Sequence, residues 1–192
     1  MSKPTFDLGA SAYAEMIKDG FHPDFPAGSD AQVAAIRAAM DARAESNGPP
    51  DAQVRDLRGL YWSSIDNDTS RDLDQAEWAE RLTADNPDSP SKDGGIRVRV
   101  AVANVAAVVA KGSPIDRHAF GQTKTVYTAT RNFPMLPNQL STDLTSLNQN
   151  EDRAAVVTEY IVDAQGGLSE HSIYRAMVHN RAGKTASEII AV

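Results

Sequence analysis

Apolar positions in the first 45 residues recur at helical spacing, and the rest of the chain alternates at strand spacing. Within residues 9–19, Tyr13, Met16 and Ile17 fall on one helical face among good helix formers, and Gly20 reads as the stop. Phe21-His22-Pro23-Asp24-Phe25-Pro26 cannot continue a helix, because each proline lacks an amide donor and restricts its predecessor. Ser29-Asp30 then offers an N-cap for a second helix, Ala31 to Ala44, with Val33, Ile36 and Met40 on one side. Asn47-Gly48-Pro49-Pro50 breaks the pattern and marks the expected domain boundary. A short helical module is therefore expected over 1–55.

Beyond it the period shortens. Leu60 to Ile65 predicts a strand, and residues 76–82 fit either a helix or the first arm of a hairpin. Ile96 to Val105, with Ile and Val at near-even spacing, is the clearest strand in the chain. Pairing of these two would set the residues between Ile65 and Gln75 at the open end of a sheet. Gly112-Ser113-Pro114 opens a helix from Ile115 to Gln122. Thr123 to Thr130 reads as extended, and Phe133-Pro134-Met135-Leu136-Pro137 as irregular, since proline supplies no ladder bond. Ala154 to Val162 and Leu168 to Tyr174 form two strands about the turn Gln165-Gly166-Gly167, and the stretch from Ala176 is mixed. The fold class that follows is α+β.

Composition adds bounds. With 41% apolar and 23% charged residues, the 192-residue chain has the profile of a globular protein. The absence of cysteine removes disulfides and thiolate metal sites. No apolar run nears the roughly 20 residues that cross a bilayer, and the N-terminus lacks a signal-peptide core, so a cytoplasmic location and no membrane partner are expected. The net charge of −7 is uneven: residues 1–96 carry 9 Lys+Arg against 18 Asp+Glu, and residues 97–192 carry 10 against 8. An acidic first half beside a mildly basic second half suits a metal pocket next to a surface that tolerates polyanions.

The acid gathers in Ile65-Asp66-Asn67-Asp68-Thr69-Ser70-Arg71-Asp72-Leu73-Asp74-Gln75. Like charges this close repel, and a hard divalent ion that takes oxygen ligands, such as Mg2+, is the usual counter-charge. A solvated acidic loop is the plain alternative. An EF-hand-like calcium loop starting at Asp66 would place Asp68, Ser70, Asp72, Asp74 and Glu77 at ligand positions, but Arg71 stands where that loop needs glycine. A carboxylate cage for phosphodiester hydrolysis needs several such groups around Mg2+, with room left for phosphate and water.

The run Ser64 to Ala76 resembles a signature of the ribonuclease II and ribonuclease R family, an Ile-Asp followed after five residues by Asp-x-Asp. Four further blocks follow in order: Val100-Ala101-Val102-Ala103-Asn104-Val105, Gly112-Ser113-Pro114-Ile115-Asp116, Thr125-Val126-Tyr127, and Phe133-Pro134-Met135-Leu136-Pro137 with Leu140-Ser141 and Ser146-Leu147. The likeness covers about residues 56–180. It implies that 56–192 is the sheet-containing first part of an RNB-type catalytic domain. It also implies an Mg2+-dependent, processive 3′-to-5′ exoribonuclease that releases nucleoside 5′-monophosphates from single-stranded RNA, with no protein partner implied. By the same likeness Asp66, Asp72 and Asp74 hold metal and organise the attacking water, and Tyr127 stacks a base near the cleaved end. Pro134 to Pro137 shapes a channel wall. Arg131 and Arg153 are candidates to meet phosphate, with solvated or structural roles equally open.

Departures accompany the likeness. Gln75 holds the fourth acidic place; its amide oxygen can still ligate Mg2+ but brings no charge. Asn104 stands where the family has Asp, and Gln122 where it usually has Arg. The family's domain is much longer, and its later half supplies an arginine, an acidic residue and a second stacking aromatic that have no counterparts here. The chain is therefore expected to be part of an enzyme. A non-catalytic RNA-binding relative is the alternative.

Overall fold

The computed structural model describes residues 6–45, 52–67, 70–83 and 95–185, and these form two compact units. The break at 47–50, Asp68 and the residues after Thr185 lie outside the described residues. The architecture is α+β.

The first unit takes in the N-terminal helices and residues 106–140. Helix α1 (Leu8–Lys18) begins where the Asp7 carboxylate accepts the Ala10 amide at 3.0 Å, satisfying a donor the first turn leaves open. It stops at Gly20, whose φ of +83° is the left-handed conformation glycine adopts without strain. Helix α2 (Ser29–Glu45) buries Val33 and Ile36 and leaves Met40 only partly covered. Helix α3 (Pro114–Gln122) has Ser113 as its N-cap and Pro114 in the first turn. Gln32 of α2 ties it down twice, accepting the Ile115 amide at 3.1 Å and donating to Ser113 Oγ at 2.8 Å.

Most of the expected extended stretch 123–130 is irregular. Only Val126–Tyr127 (strand βa of a small ribbon in this unit) pairs with Asn132–Phe133 (βb). Phe133 therefore joins a ladder that the sequence leaves irregular. The prolines begin one residue later, and the ladder ends there.

The second unit takes in residues 47–105 and 141–192. Its strands are β1 (Arg55–Asp56), β2 (Trp62–Asp66), β3 (Gln75–Arg81), β4 (Ile96–Ala103), β5 (Asp152–Val162) and β6 (Leu168–Thr185). Strand β2 pairs antiparallel with β3, β3 with β4, β4 with β5 and β5 with β6. The far half of β6 then pairs in parallel with β2, so five strands close into a barrel, with β1 added in parallel on β6. Residues 76–82 resolve to the hairpin arm, because the even alternation of β4 gives them a ladder to join.

Strand β6 overruns its expected end at Tyr174 by 11 residues, reaching Thr185. Ala176, Val178 and Asn180 keep the alternation, each 1% exposed. The polar Asn180 hides this in the sequence. The interior holds Trp62 among Ala76, Ala101, Ala155, Ala176, Val157 and Val178. A five-stranded barrel is narrow. Four alanines from four strands make the room one indole fills, and its Nε1 donates to Leu57 O at 2.9 Å.

The opposite end of this interior is polar. Trp78, Arg99 and Glu159 lie in one row across β3, β4 and β5. Arg99 donates to Glu159 at 2.6 Å and its guanidinium lies 4.6 Å from the Trp78 ring centroid, while Tyr174 OH donates to Glu159 at 2.5 Å. Burial alone would raise the Glu159 carboxyl; the hydrogen bonds from Arg99 and Tyr174, with the Arg99 and Arg97 charges, outweigh it and hold its pKa below the ordinary value.

Candidate functional site

Strand β2 ends at Asp66 and β3 begins at Gln75, so the antiparallel pair brings the acidic loop to one end of the barrel. Asp66 Oδ1 accepts from Ser70 Oγ at 2.6 Å and from the Asn67 amide at 2.7 Å. Asp74 anchors the other side through its backbone, its carbonyl accepting the Ala103 amide at 2.9 Å. Between them Leu73 packs against the barrel core. Its amide donates to Ser146 Oγ at 2.9 Å, and its carbonyl accepts the Leu147 amide at 2.8 Å. Asp72 and Asp74 thus flank a residue held at its amide, its carbonyl and its side chain.

Asp74 feels the other two carboxylates. The Asp74 pKa is raised, first because the protein withdraws water from it, then because of the Asp72 and Asp66 charges. The side chain still reaches solvent. Oxygen donors whose charges oppose one another fit a hard cation, which would relieve that repulsion. Among the described residues, no three His, Cys, Asp or Glu side chains are drawn closely enough together to enclose an ion. Gln75 is exposed, paired through its backbone with Val102. Asn104 follows β4 at the same end, where its amide donates to Ala154 O at 3.0 Å.

The candidates for RNA contact divide. Tyr127 and Arg131 belong to the first unit, Arg153 to the second. Tyr127 is 66% exposed, as a stacking platform must be. The Arg131 guanidinium lies 4.4 Å from the Phe133 ring centroid and 5.7 Å from that of Tyr13, with the residue open to solvent. Arg153 is occupied: Nε donates to Ser146 O at 3.0 Å, one terminal nitrogen to Asp143 O at 3.0 Å and to Glu151, the other to Asp152 O at 3.1 Å. These bonds fit the structural role left open for it beside the phosphate-binding and solvated ones.

Sequence reasoning passed over Asn180. It is 1% exposed, and its Nδ2 donates to Ser64 Oγ at 3.0 Å and to Leu147 O at 2.7 Å. It thereby joins β6 to β2 two residues before Asp66, and to the segment that grips Leu73. The available signal was a polar residue spaced two places beyond Val178 in an alternating run.

Residues 54–192 match the RNB domain. The chain belongs to the ribonuclease II and ribonuclease R family. It is similar to Ribonuclease R of Vibrio parahaemolyticus, 36% identical over 146 residues that make 75% of this chain and 16% of that protein. It is also similar to Exoribonuclease 2 of Mannheimia succiniciproducens, 36% identical over 129 residues, 67% of this chain and 19% of that one. Among solved structures, Mycoplasma genitalium RNase R in complex with ribose methylated single-stranded RNA superposes with a TM-score of 0.72. It is 26% identical over 93% of this chain and 26% of its own. The chain thus spans less than a fifth of the two curated relatives. In this RNB domain, no helix among the described residues is long and apolar enough to cross a membrane.

Proposed function

We propose that the polypeptide carrying this chain is an Mg2+-dependent, processive 3′-to-5′ exoribonuclease acting on single-stranded RNA in the cytoplasm, with nucleoside 5′-monophosphates as product. The observation that carries it is the acidic loop at the barrel end, where Asp74 senses the charges of both Asp66 and Asp72. That RNase R of Mycoplasma genitalium was solved with single-stranded RNA supports the choice of substrate.

Asp66, Asp72 and Asp74 would hold the ion, with the Gln75 amide oxygen as an uncharged fourth donor. Mg2+ supplies polarisation of the scissile phosphoryl group and a lowered pKa for the attacking water. Asp66, whose Oδ1 accepts from Ser70 Oγ, would turn its carboxylate toward the cation. The three carboxylates fix where water and phosphate sit. Tyr127 stacks an unpaired base, a contact worth about 1–3 kcal/mol and tolerant of sequence. Arg131 meets a backbone phosphate.

The test follows a 5′-labelled single-stranded RNA incubated with the full-length polypeptide and Mg2+. Shortening from the 3′ end with release of 5′-monophosphates, stopped by chelator, is expected. RNA bound at low salt with no mononucleotide at any Mg2+ concentration would overturn the reading. It would favour a non-catalytic RNA-binding relative, which the uncharged Gln75 and Asn104 allow.

A further inference from the structure

The Ser146-Leu147 pair has no role in the chemistry proposed above, yet it touches the metal-holding loop at its centre. Ser146 is 1% exposed. Its hydroxyl accepts the Leu73 amide at 2.9 Å and lies 3.4 Å from Arg71 O as a donor. The next amide, that of Leu147, closes on Leu73 O at 2.8 Å. The backbone between Asp72 and Asp74 is therefore fixed on both its donor and its acceptor side.

The gripping segment is itself fixed from two directions. Arg153 binds the carbonyls of Ser146 and Asp143, both at 3.0 Å. Asn180 binds the carbonyl of Leu147 at 2.7 Å and Ser64 Oγ at 3.0 Å, while its own Oδ1 accepts the Ala182 amide at 3.2 Å. Ser64 lies on β2, two residues before Asp66. One buried chain of hydrogen bonds thus runs from the strand that delivers Asp66 to the loop that delivers Asp72 and Asp74. Nothing in packing alone calls for it, since a hydrophobic pair would fill the same space without leaving polar groups to satisfy.

We propose that Ser146 is a positioning residue for the metal site, setting the separation of Asp72 and Asp74 through the Leu73 amide, while its neighbour Leu147, held by Asn180, registers the same loop with Ser64 on the strand of Asp66. The inference rests on the assignment of the three aspartates to Mg2+. Groups that orient metal ligands from behind govern affinity without touching the ion. A hydroxyl is needed at Ser146 because it must accept from the Leu73 amide and donate to Arg71 O at once.

The experiment titrates the whole chain with Mg2+ alone by calorimetry and follows thermal unfolding of each variant by circular dichroism. Ser146→Ala, still folded, is expected to weaken Mg2+ binding by about tenfold or more. Ser146→Thr, which keeps the hydroxyl, restores it. Ser146→Cys nearly preserves volume but accepts poorly, and so reports the same loss if Ser146→Ala does not fold. Asp74→Asn separates the two claims. If it weakens Mg2+ while folded Ser146→Ala or Ser146→Cys binds as the parent does, the positioning role is wrong and the metal site stands. If Asp74→Asn also leaves binding unchanged, or the parent chain binds no Mg2+, both are wrong.

Discussion

In the proposed metal site, Gln75 is the residue on which the strength of binding would turn. It directly follows Asp74, exposed, at the first position of β3, with an amide where a carboxylate would add charge. Gln75→Asp is expected to tighten Mg2+ binding, seen as a lower half-saturating Mg2+ concentration in the mononucleotide-release assay. An unchanged Mg2+ response would remove residue 75 from the ligand set. The sequence singled out this residue and the three aspartates as candidates because acidic spacing is a local property. It did not resolve the part played by Arg153, whose partners are carbonyls of 143, 146 and 152 brought to it by the fold. A guanidinium facing backbone carbonyls and one facing phosphate are indistinguishable until the chain is folded.

At the scale of elements, the strands were legible where burial alternates with simple apolar residues, as in β4. They were not where a polar side chain holds an interior place. Asn180, past the expected end of β6, is such a place, and its partners Ser64 and Leu147 lie far away in sequence. The barrel closure, β6 reaching both β5 and β2, is likewise a long-range fact. Trp62→Ala should empty the centre of this barrel and cost about 3–5 kcal/mol, measured as a fall in denaturation midpoint with activity changed only through folding. A loss below about 1 kcal/mol would mean the four alanines are not packed around the indole.

The polar end of the same barrel makes a pH test. Glu159 has a folded-state pKa below its unfolded value, so its stabilising contribution is present above the ordinary Glu pKa of about 4.3 and is lost as pH falls through the lowered one. Tyr174→Phe removes one of the bonds that lower it and should shift acid unfolding, followed by circular dichroism, to higher pH. An unshifted acid midpoint would show that this hydroxyl does not stabilise the charged carboxyl.

For the whole molecule, the five collinear blocks pointed to the RNB family before any geometry, because order along the chain survives where single motifs are ambiguous. The association of residues 106–140 with the N-terminal helices was not legible, since it depends on contacts such as that of Gln32 with Ser113. If Arg131 meets phosphate, RNA affinity should fall linearly with salt on logarithmic axes, and Arg131→Ala should make the slope shallower by about 0.7. An identical slope would free Arg131 from that role.

The most direct test of the account is the rate at which the full-length polypeptide releases 5′-monophosphates from single-stranded RNA at saturating Mg2+, compared with its Asp74→Asn variant. Removing that carboxylate should lower the rate by on the order of 10²-fold or more, by misplacing the reacting groups, while the fold stays intact. Undiminished release by Asp74→Asn would contradict the assignment of the barrel-end aspartates to catalysis.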